Sequence, residues 1–125
     1  MEEKKKILII DDEKDVVDLC KDILEGEGFE VDYALTGKEG IKKTLQHDYE
    51  LILLDIMLPE MDGWEIIEVL RLNEKTKMIP IAMFTAKTEF KNKILGIQQG
   101  AIDYITKPFS PEEIIYRVKR ILNEA

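Results

Sequence analysis

Four short apolar runs dominate the pattern of this chain, and each is followed by residues with charged or hydroxyl side chains. They are ILII before Asp11 and Asp12, LILL before Asp55, IAMF before Thr85, and Asp103-Tyr104-Ile105-Thr106 before Lys107. If these runs are parallel strands that alternate with helices, they all finish at one edge of a single sheet. Ligands bind at that edge in open α/β sheets, so the pattern predicts a pocket that collects these side chains.

The predicted pocket combines three carboxylates, one hydroxyl and one ammonium group. Carboxylates held this close together repel one another unless a cation lies among them. Hard oxygen ligands of this kind suit Mg²⁺. The combination of a metal ion with an ammonium group is typical of a site for phosphate chemistry.

Length and charge narrow the class of protein. The 125 residues predict one domain, spanning residues 1–125, with one core. Acidic residues outnumber basic ones by 26 to 18, and the net charge of −8 favours a protein partner or a cation over direct binding of nucleic acid. The single Cys20 excludes an internal disulfide framework, and the single His47 excludes a histidine-based metal site.

The amino end of the chain is charged from Met1 to Lys6 and does not resemble a signal peptide. No apolar stretch approaches the length that a membrane span needs. We therefore expect a cytoplasmic protein that does not enter a membrane.

Five strands are predicted, at residues 7–10, 29–34, 51–54, 79–84 and 104–106. The third is apolar throughout, as expected for a central strand that is buried on both faces. In the second, Phe29, Val31 and Tyr33 alternate with acidic residues, which is typical of a half-buried or edge strand.

Each strand is followed by a predicted helix. The first helix has an apolar face formed by Val16, Leu19, Cys20, Ile23 and Leu24, and it ends at Gly26 and Gly28. The second begins with a capping box at Thr36 and runs to about His47, and the third opens at Asp62-Gly63. The fourth runs from Thr88 to about Gln99, and the last opens with Ser110 followed by proline.

The motifs at the strand ends are recognisable as a set. Asp11-Asp12-Glu13, LILLDIMLPEMDG around Asp55, Thr85-Ala86, and the run from Tyr104 through Lys107-Pro108-Phe109 resemble the receiver domain of two-component response regulators, including chemotaxis and winged-helix regulators. The resemblance covers essentially the whole chain. It implies a flavodoxin-like, doubly wound α/β fold: a five-stranded parallel sheet in the order 2-1-3-4-5 with helices on both faces.

The resemblance implies that Asp55 is the phosphoacceptor, which takes a phosphoryl group from a histidine kinase. It makes Asp12 a direct Mg²⁺ ligand and Asp11 a ligand partly through water, with Asp55 and the backbone carbonyl of Met57 completing the protein ligands. From the residues alone, an aspartate after a strand is more often a turn residue or a helix cap. We expect Glu13 to be solvated only.

The same resemblance assigns roles to three more residues. Lys107 would pair with the phosphoryl oxygens, and the bond between Lys107 and Pro108 is characteristically cis in the family. Thr85 corresponds to the switch hydroxyl and Tyr104 to the aromatic residue that moves with it. Without the resemblance, Thr85 is an ordinary strand residue and Tyr104 an ordinary aromatic at the core edge. The implied function is a switch that promotes only its own phosphorylation and dephosphorylation.

Three other classes are weighed against this interpretation. A phosphatase of the haloacid dehalogenase type needs a second aspartate where the chain has Met57. A flavin carrier of the same fold needs a phosphate-binding loop where the chain has Asp11-Asp12-Glu13. A receiver-like interaction scaffold that is never phosphorylated remains the alternative, and the complete set of expected site residues disfavours it.

Partners follow from the resemblance as well. They are a sensor histidine kinase or phosphotransfer protein, and a downstream output domain or protein. The chain is either free-standing or a receiver cut from a longer protein. Phosphorylation could promote a homodimer through the fourth helix, fifth strand and fifth helix. The candidate cross-partner charges are Lys91 or Lys93, Asp103, Glu113 and Arg117. Met57 and Lys87 stand at positions where rapidly resetting members carry an amide or an acid, which predicts slow loss of the phosphoryl group.

Overall fold

The computed structural model describes residues 3–85 and 103–123. Within them, five parallel strands form one sheet in the order β2-β1-β3-β4-β5, which confirms the predicted fold. The strands are β1 Lys6–Ile10, β2 Glu30–Ala34, β3 Leu51–Asp55, β4 Ile81–Thr85 and β5 Asp103–Thr106.

Four helices lie in the described part of the chain: α1 Lys14–Gly26, α2 Gly37–Gln46, α3 Gly63–Leu72 and a C-terminal helix Pro111–Ile121. The side chains of Thr36, Asp62 and Ser110 accept hydrogen bonds from backbone N–H groups of the first turns of α2, α3 and the C-terminal helix, which confirms the predicted starts. The predicted helix from Thr88 to about Gln99 lies outside the described residues.

Two apolar clusters form because successive strand residues point to opposite faces of the sheet. Ile7 and Ile9 belong to one cluster, which includes residues of α1 and the C-terminal helix, while Leu8 and Ile10 belong to the other, which includes residues of α3. All five residues of β3 are buried, as its continuous apolar sequence predicts, whereas the edge strand β2 is buried at two of its five positions.

The predicted buried face of α1 needs one correction. Leu19 is 51% exposed, whereas Val17 is fully buried with Cys20 and Leu24. Residues 17, 20 and 24 follow the spacing of three and four that keeps side chains on one helix face, and residue 19 falls outside that stripe. Among the described residues, no helix is long and apolar enough to cross a membrane.

The register aligns the carboxyl ends of the strands. Ile10 pairs with Leu54, Asp55 pairs with Phe84, and Thr85 pairs with Thr106. The residues that follow these ends therefore emerge at one edge of the sheet, as the sequence pattern predicts.

Candidate functional site

Asp11 is the most deeply buried charged residue of the site, and both of its carboxylate oxygens have donors. The residue is 0% exposed although it directly follows β1. The backbone N–H of Glu13 donates to Asp11 Oδ1 over 2.9 Å, and Lys107 Nζ donates to Asp11 Oδ2 over 2.7 Å. A buried carboxylate is tolerated when it is paired in this way.

Asp55 lies beside Asp11 at the end of β3 and is 4% exposed. Its Oδ1 accepts a hydrogen bond of 3.0 Å from the Met57 backbone N–H, and its Oδ2 lies 3.4 Å from Lys107 Nζ. Burial and the charge of Asp11 raise the pKa of Asp55 to about 6, although the Met57 N–H and Lys107 oppose the shift. Asp55 is therefore a carboxylate that carries its charge at neutral pH at a cost.

Lys107 reaches the centre of this cluster from β5, the far edge of the sheet. Burial lowers the pKa of Lys107, but the hydrogen bond and charge of Asp11, with smaller contributions from Asp55 and Glu13, outweigh it and raise the pKa. The ammonium lies 5.7 Å from the centre of the Phe84 ring, and Phe109 stacks on Phe84 with ring centres 5.6 Å apart. The peptide bond between Lys107 and Pro108 is cis, as the resemblance implies.

Asp12 and Glu13 form the exposed rim of the same cluster. Oxygen atoms of Asp11, Asp12, Glu13 and Asp55 all lie within 4.8 Å of one another. The expectation that Glu13 is only solvated is wrong: its side chain is 61% exposed, yet Oε1 lies 3.3 Å from Lys107 Nζ. Its place directly after the acidic pair was the available signal, because a glutamate side chain is long enough to reach back over the pocket.

The residues present fit a hard divalent cation. Four carboxylates converge, and three of them, those of Asp11, Glu13 and Asp55, contact the single Lys107 ammonium, so negative charge is in excess at this edge of the sheet. The donors are all oxygen atoms, which is the ligand chemistry of Mg²⁺. Added positive charge would also relieve the repulsion that raises the pKa of Asp55.

The other predicted site residues lie around this centre. Thr85 ends β4 opposite Thr106 of β5. The side chain of Thr85 is not among those that the structure describes. Tyr104 is partly buried and packs against the cluster on the α3 side of the sheet. The Met57 side chain is 77% exposed beside Asp55, so it does not fill the core.

The loop from β3 to α3 holds Asp55 through a tight backbone approach at Gly63. The Gly63 N–H donates to the Ile56 carbonyl over 2.9 Å. A Cβ atom at Gly63 would lie 2.8 Å from the Asp55 carbonyl oxygen and 2.9 Å from Met83 Cε. A glycine is therefore required for α3 to begin this close to the end of β3.

A parallel α/β sheet with an acidic cluster at the carboxyl ends of its strands is the arrangement of a receiver domain, and the chain belongs to the response regulator receiver family. The family model described as the response regulator receiver domain matches residues 7–119. Receiver domains of response regulators are phosphoacceptor switches, and the acidic cluster is consistent with such a site.

Similar proteins include both full-length regulators and separate receivers. The chain is 47% identical over 121 residues to the alkaline phosphatase synthesis transcriptional regulatory protein PhoP of Bacillus subtilis, covering 97% of the chain and 50% of that protein. It is 47% identical over 117 residues to the transcriptional regulatory protein SrrA of Staphylococcus aureus, covering 94% of the chain and 47% of that protein. The chain thus spans about half the length of the curated relatives it matches.

Solved structures share the fold closely. A response regulator from Chloroflexus aurantiacus superimposes with a TM-score of 0.92 at 36% identity, covering 98% of the chain and 100% of that structure. The chemotaxis protein CheY4 of Vibrio cholerae superimposes with a TM-score of 0.91 at 29% identity, covering 95% of the chain and 99% of that structure.

Proposed function

We propose that Asp55 is the phosphoacceptor of this receiver domain. The observation that carries the proposal is the buried Asp55 carboxylate, whose Oδ2 faces Lys107 at 3.4 Å beside the fully buried Asp11. Burial and the neighbouring charge hold Asp55 in an unfavourable ionised state. Bond formation at an Asp55 oxygen would move the negative charge from the buried carboxylate to the phosphoryl oxygens, and the adjacent ammonium would stabilise the product.

The proposed reaction is an in-line phosphoryl transfer. An Asp55 oxygen attacks phosphorus and forms a P–O bond, while the P–N bond to a histidine of a sensor kinase or phosphotransfer protein breaks. Lys107 would move from the carboxylates towards the phosphoryl oxygens and balance their charge. The catalytic group thus consists of Asp55 and Lys107, with the Thr85 hydroxyl as a further donor to the phosphoryl group.

We propose Mg²⁺ as the cation of the site. Asp12 and Asp55 would bind it directly, Asp11 partly through water, and the Met57 carbonyl would complete the protein ligands. Bound Mg²⁺ supplies positive charge that neutralises the transferring phosphoryl group. The convergence of hard oxygen donors within 4.8 Å supports this assignment.

Phosphorylation would be read out through Thr85 and Tyr104. The added charge would bias an existing equilibrium between two arrangements of the segment after Thr85 and of the Tyr104 side chain. The output would be a downstream domain or protein. Because two relatives of twice the length are transcriptional regulators, we propose control of transcription as the output, without direct contact of this chain with nucleic acid.

We also propose that residues 1–125 form a single receiver domain that works in the cytoplasm. The family match to residues 7–119 supports this extent. A phosphorylated homodimer could use β5 and the C-terminal helix. Within the chain, Arg117 Nη1 donates to Asp103 Oδ1 over 2.8 Å, so a dimer that uses either residue would have to share or exchange this ion pair.

The test is chemical labelling with a small phosphodonor. With acetyl phosphate and Mg²⁺, we expect intact-mass spectrometry to show one added phosphoryl group that is lost in acid and in base. Asp55→Asn should gain none, and chelation of Mg²⁺ should stop labelling of the wild type. The matched control is Asp48→Asn, which changes an exposed aspartate side chain (95% exposed) and should label normally. Undiminished labelling of Asp55→Asn would refute the assignment, and an unlabelled wild type would favour the unphosphorylated scaffold.

A further inference from the structure

Glu13 occupies the N-cap position of α1 but does not use its side chain as a cap. Its backbone is extended, with φ −91° and ψ 100°, and its carboxylate accepts no hydrogen bond from the first turn of the helix. By contrast, the N-cap side chains of α2, α3 and the C-terminal helix all accept such a bond. The Glu13 carboxylate contacts Lys107 instead, at 3.3 Å.

Through this contact, Glu13 competes with Asp55 for the Lys107 ammonium. The ammonium is 2.7 Å from Asp11, 3.3 Å from Glu13 and 3.4 Å from Asp55. Asp11 anchors it, and the other two carboxylates share its remaining donors. The distances to Glu13 and Asp55 are both near the outer limit of a hydrogen bond, so the resting ammonium is centred on Asp11 and lies between the Glu13 and Asp55 carboxylates.

We propose that Glu13 is a positioning residue that draws the Lys107 ammonium towards the rim of the site and away from Asp55 before phosphorylation. The inference rests on the proposed function of Asp55, because phosphorylation of Asp55 is the event in which Lys107 would move. When a phosphoryl group arrives, Lys107 must leave Glu13 to face the new oxygens. Glu13 thereby restrains phosphorylation, and its loss speeds the reaction.

The size of the effect follows from exposure. Glu13 is largely exposed while Lys107 is mostly buried, at 61% and 13% exposed side chain. A partly exposed ion pair contributes little, so releasing Lys107 should change the labelling rate by roughly two- to fivefold. The effect is a modulation of the site rather than an essential part of it.

Two variants separate positioning from simple charge repulsion. Glu13→Gln removes both the negative charge and the ion pair. Glu13→Asp keeps the charge, but its side chain is one methylene shorter, and aspartate at an N-cap favours bonding to the first turn of the helix. If Glu13 acts by holding Lys107, both variants should label with acetyl phosphate roughly two- to fivefold faster than wild type.

The matched control is Glu39→Gln. Glu39 lies in the first turn of α2, where its ion-pair partner is Lys43, at 3.8 Å, rather than Lys107. The Glu39→Gln variant loses one negative charge, as Glu13→Gln does, and should label at the wild-type rate. In a Lys107→Met background, Glu13→Asp should lose its effect, because the residue through which Glu13 acts is gone.

Two further measurements do not depend on phosphorylation. The side-chain NMR signal of Lys107 in the unphosphorylated protein should shift in Glu13→Asp and not in Glu39→Gln. Calorimetric titration with Mg²⁺ should give affinities for Glu13→Asp within about threefold of wild type, because the charge is retained. A tenfold loss of Mg²⁺ affinity in Glu13→Asp would overturn the proposal in favour of a ligand role for Glu13.

The remaining outcomes are also decisive. Faster labelling of Glu13→Gln together with wild-type labelling of Glu13→Asp would leave charge repulsion as the cause and overturn the proposal. An effect of Glu13→Asp that persists in Lys107→Met would do the same. If wild type takes up no phosphoryl group while the Lys107 signal still responds to Glu13→Asp, the function proposed for Asp55 fails but the contact between Glu13 and Lys107 stands.

Discussion

Two carboxylates of this protein, Asp55 and Asp32, each lie near a lysine, yet their environments shift their pKa values in opposite directions. Asp32 lies on the edge strand β2, where it accepts hydrogen bonds from Tyr49 Oη over 2.7 Å, Lys43 Nζ over 3.0 Å and the Tyr33 backbone N–H over 2.8 Å. Burial works to raise the pKa of Asp32, but these donors outweigh it and hold the pKa below its usual value. The pKa of Asp55 is raised to about 6.

The difference comes from how donors and carboxylates are matched. Asp32 receives a phenol, an ammonium and a backbone N–H, so its charge is well satisfied. Asp55 has one backbone donor, and the Lys107 ammonium that it faces is also shared with Asp11 and Glu13. The ion pair of Asp32 with Lys43 stabilises the ionised carboxylate. The ionised carboxylate of Asp55 has too few donors and is less stable. Removing the donors should therefore have opposite consequences in the two places.

The largest expected effect comes from removing Lys107, with removal of Lys43 as the control. Lys107→Met should slow labelling of Asp55 by two to three orders of magnitude, roughly the cost of losing one donor that stabilises transferring charge. Lys43→Met should label at the wild-type rate, because Asp32 does not face the site. Time courses with acetyl phosphate measure both. If Lys107→Met labelled as fast as Lys43→Met, the distinction between the two lysines would be lost.

The second prediction uses pH to separate the two aspartates. Because the pKa of Asp55 is about 6 in the folded protein against an ordinary value of 3.8, the folded state holds an extra proton between about pH 4 and 6. The contribution of Asp55 to the free energy of unfolding should therefore fall as pH rises through this window, by up to about 3 kcal/mol. For Asp32 the sign is reversed, since its lowered pKa gives a contribution that is present above the ordinary value and lost as the pH falls below it.

Urea unfolding in EDTA at several pH values tests this sign. Relative to Asp55→Asn, the wild type should lose stability between pH 4 and 7. Relative to Asp32→Asn, it should lose stability only on further acidification. A wild type whose stability runs parallel to that of Asp55→Asn across the window would show that Asp55 has an ordinary pKa.

The convergence of Asp11, Asp55 and Lys107 could be predicted because it depends on strand direction alone. Apolar runs that end in polar residues define parallel strands, and parallel strands deliver those residues to one edge. The contacts of Asp32 could not be predicted in this way. They join residues that are 11 and 17 positions apart, and which side chains meet depends on how α2 and the loop before β3 pack against β2.

The side-chain directions of two residues near and within α1 were harder to predict for a similar reason. Glu13 was expected to be solvated and Leu19 to be buried, and both expectations were wrong. Each concerns the direction in which one side chain leaves a helix start or a helix face. Small rotations of α1 against the sheet decide that direction, and the spacing of apolar residues does not define them to within one position.

The third prediction concerns a variant that removes one hydrogen bond to Asp32 and leaves the charge of Asp32 in place. Tyr49→Phe deletes the hydrogen bond to Asp32 and leaves the ring, which is 6% exposed, in place. We expect a loss of about 1 kcal/mol in the free energy of unfolding, with no change in labelling of Asp55. Urea unfolding and the phosphodonor time course check the two parts. A change in labelling rate would mean that the edge strand and the site are coupled.

The last and smallest expected effect concerns the solvent side of Asp55. Asp32 has Tyr49 beside it, whereas Asp55 has the exposed Met57 side chain, which cannot orient an attacking water molecule. The second residue after Thr85 is Lys87, which offers donors but no acceptor for the proton of that water. We therefore expect phosphorylated Asp55 to hydrolyse slowly. Decay followed by mass spectrometry after removal of the donor should quicken about two- to fivefold in Met57→Asn combined with Lys87→Glu, because an amide and a carboxylate can position water for in-line attack. Leu72→Gln, which changes another exposed apolar side chain, is the control and should decay at the wild-type rate. Equal decay of the double variant and the wild type would mean that water reaches the phosphoryl group without help from either position.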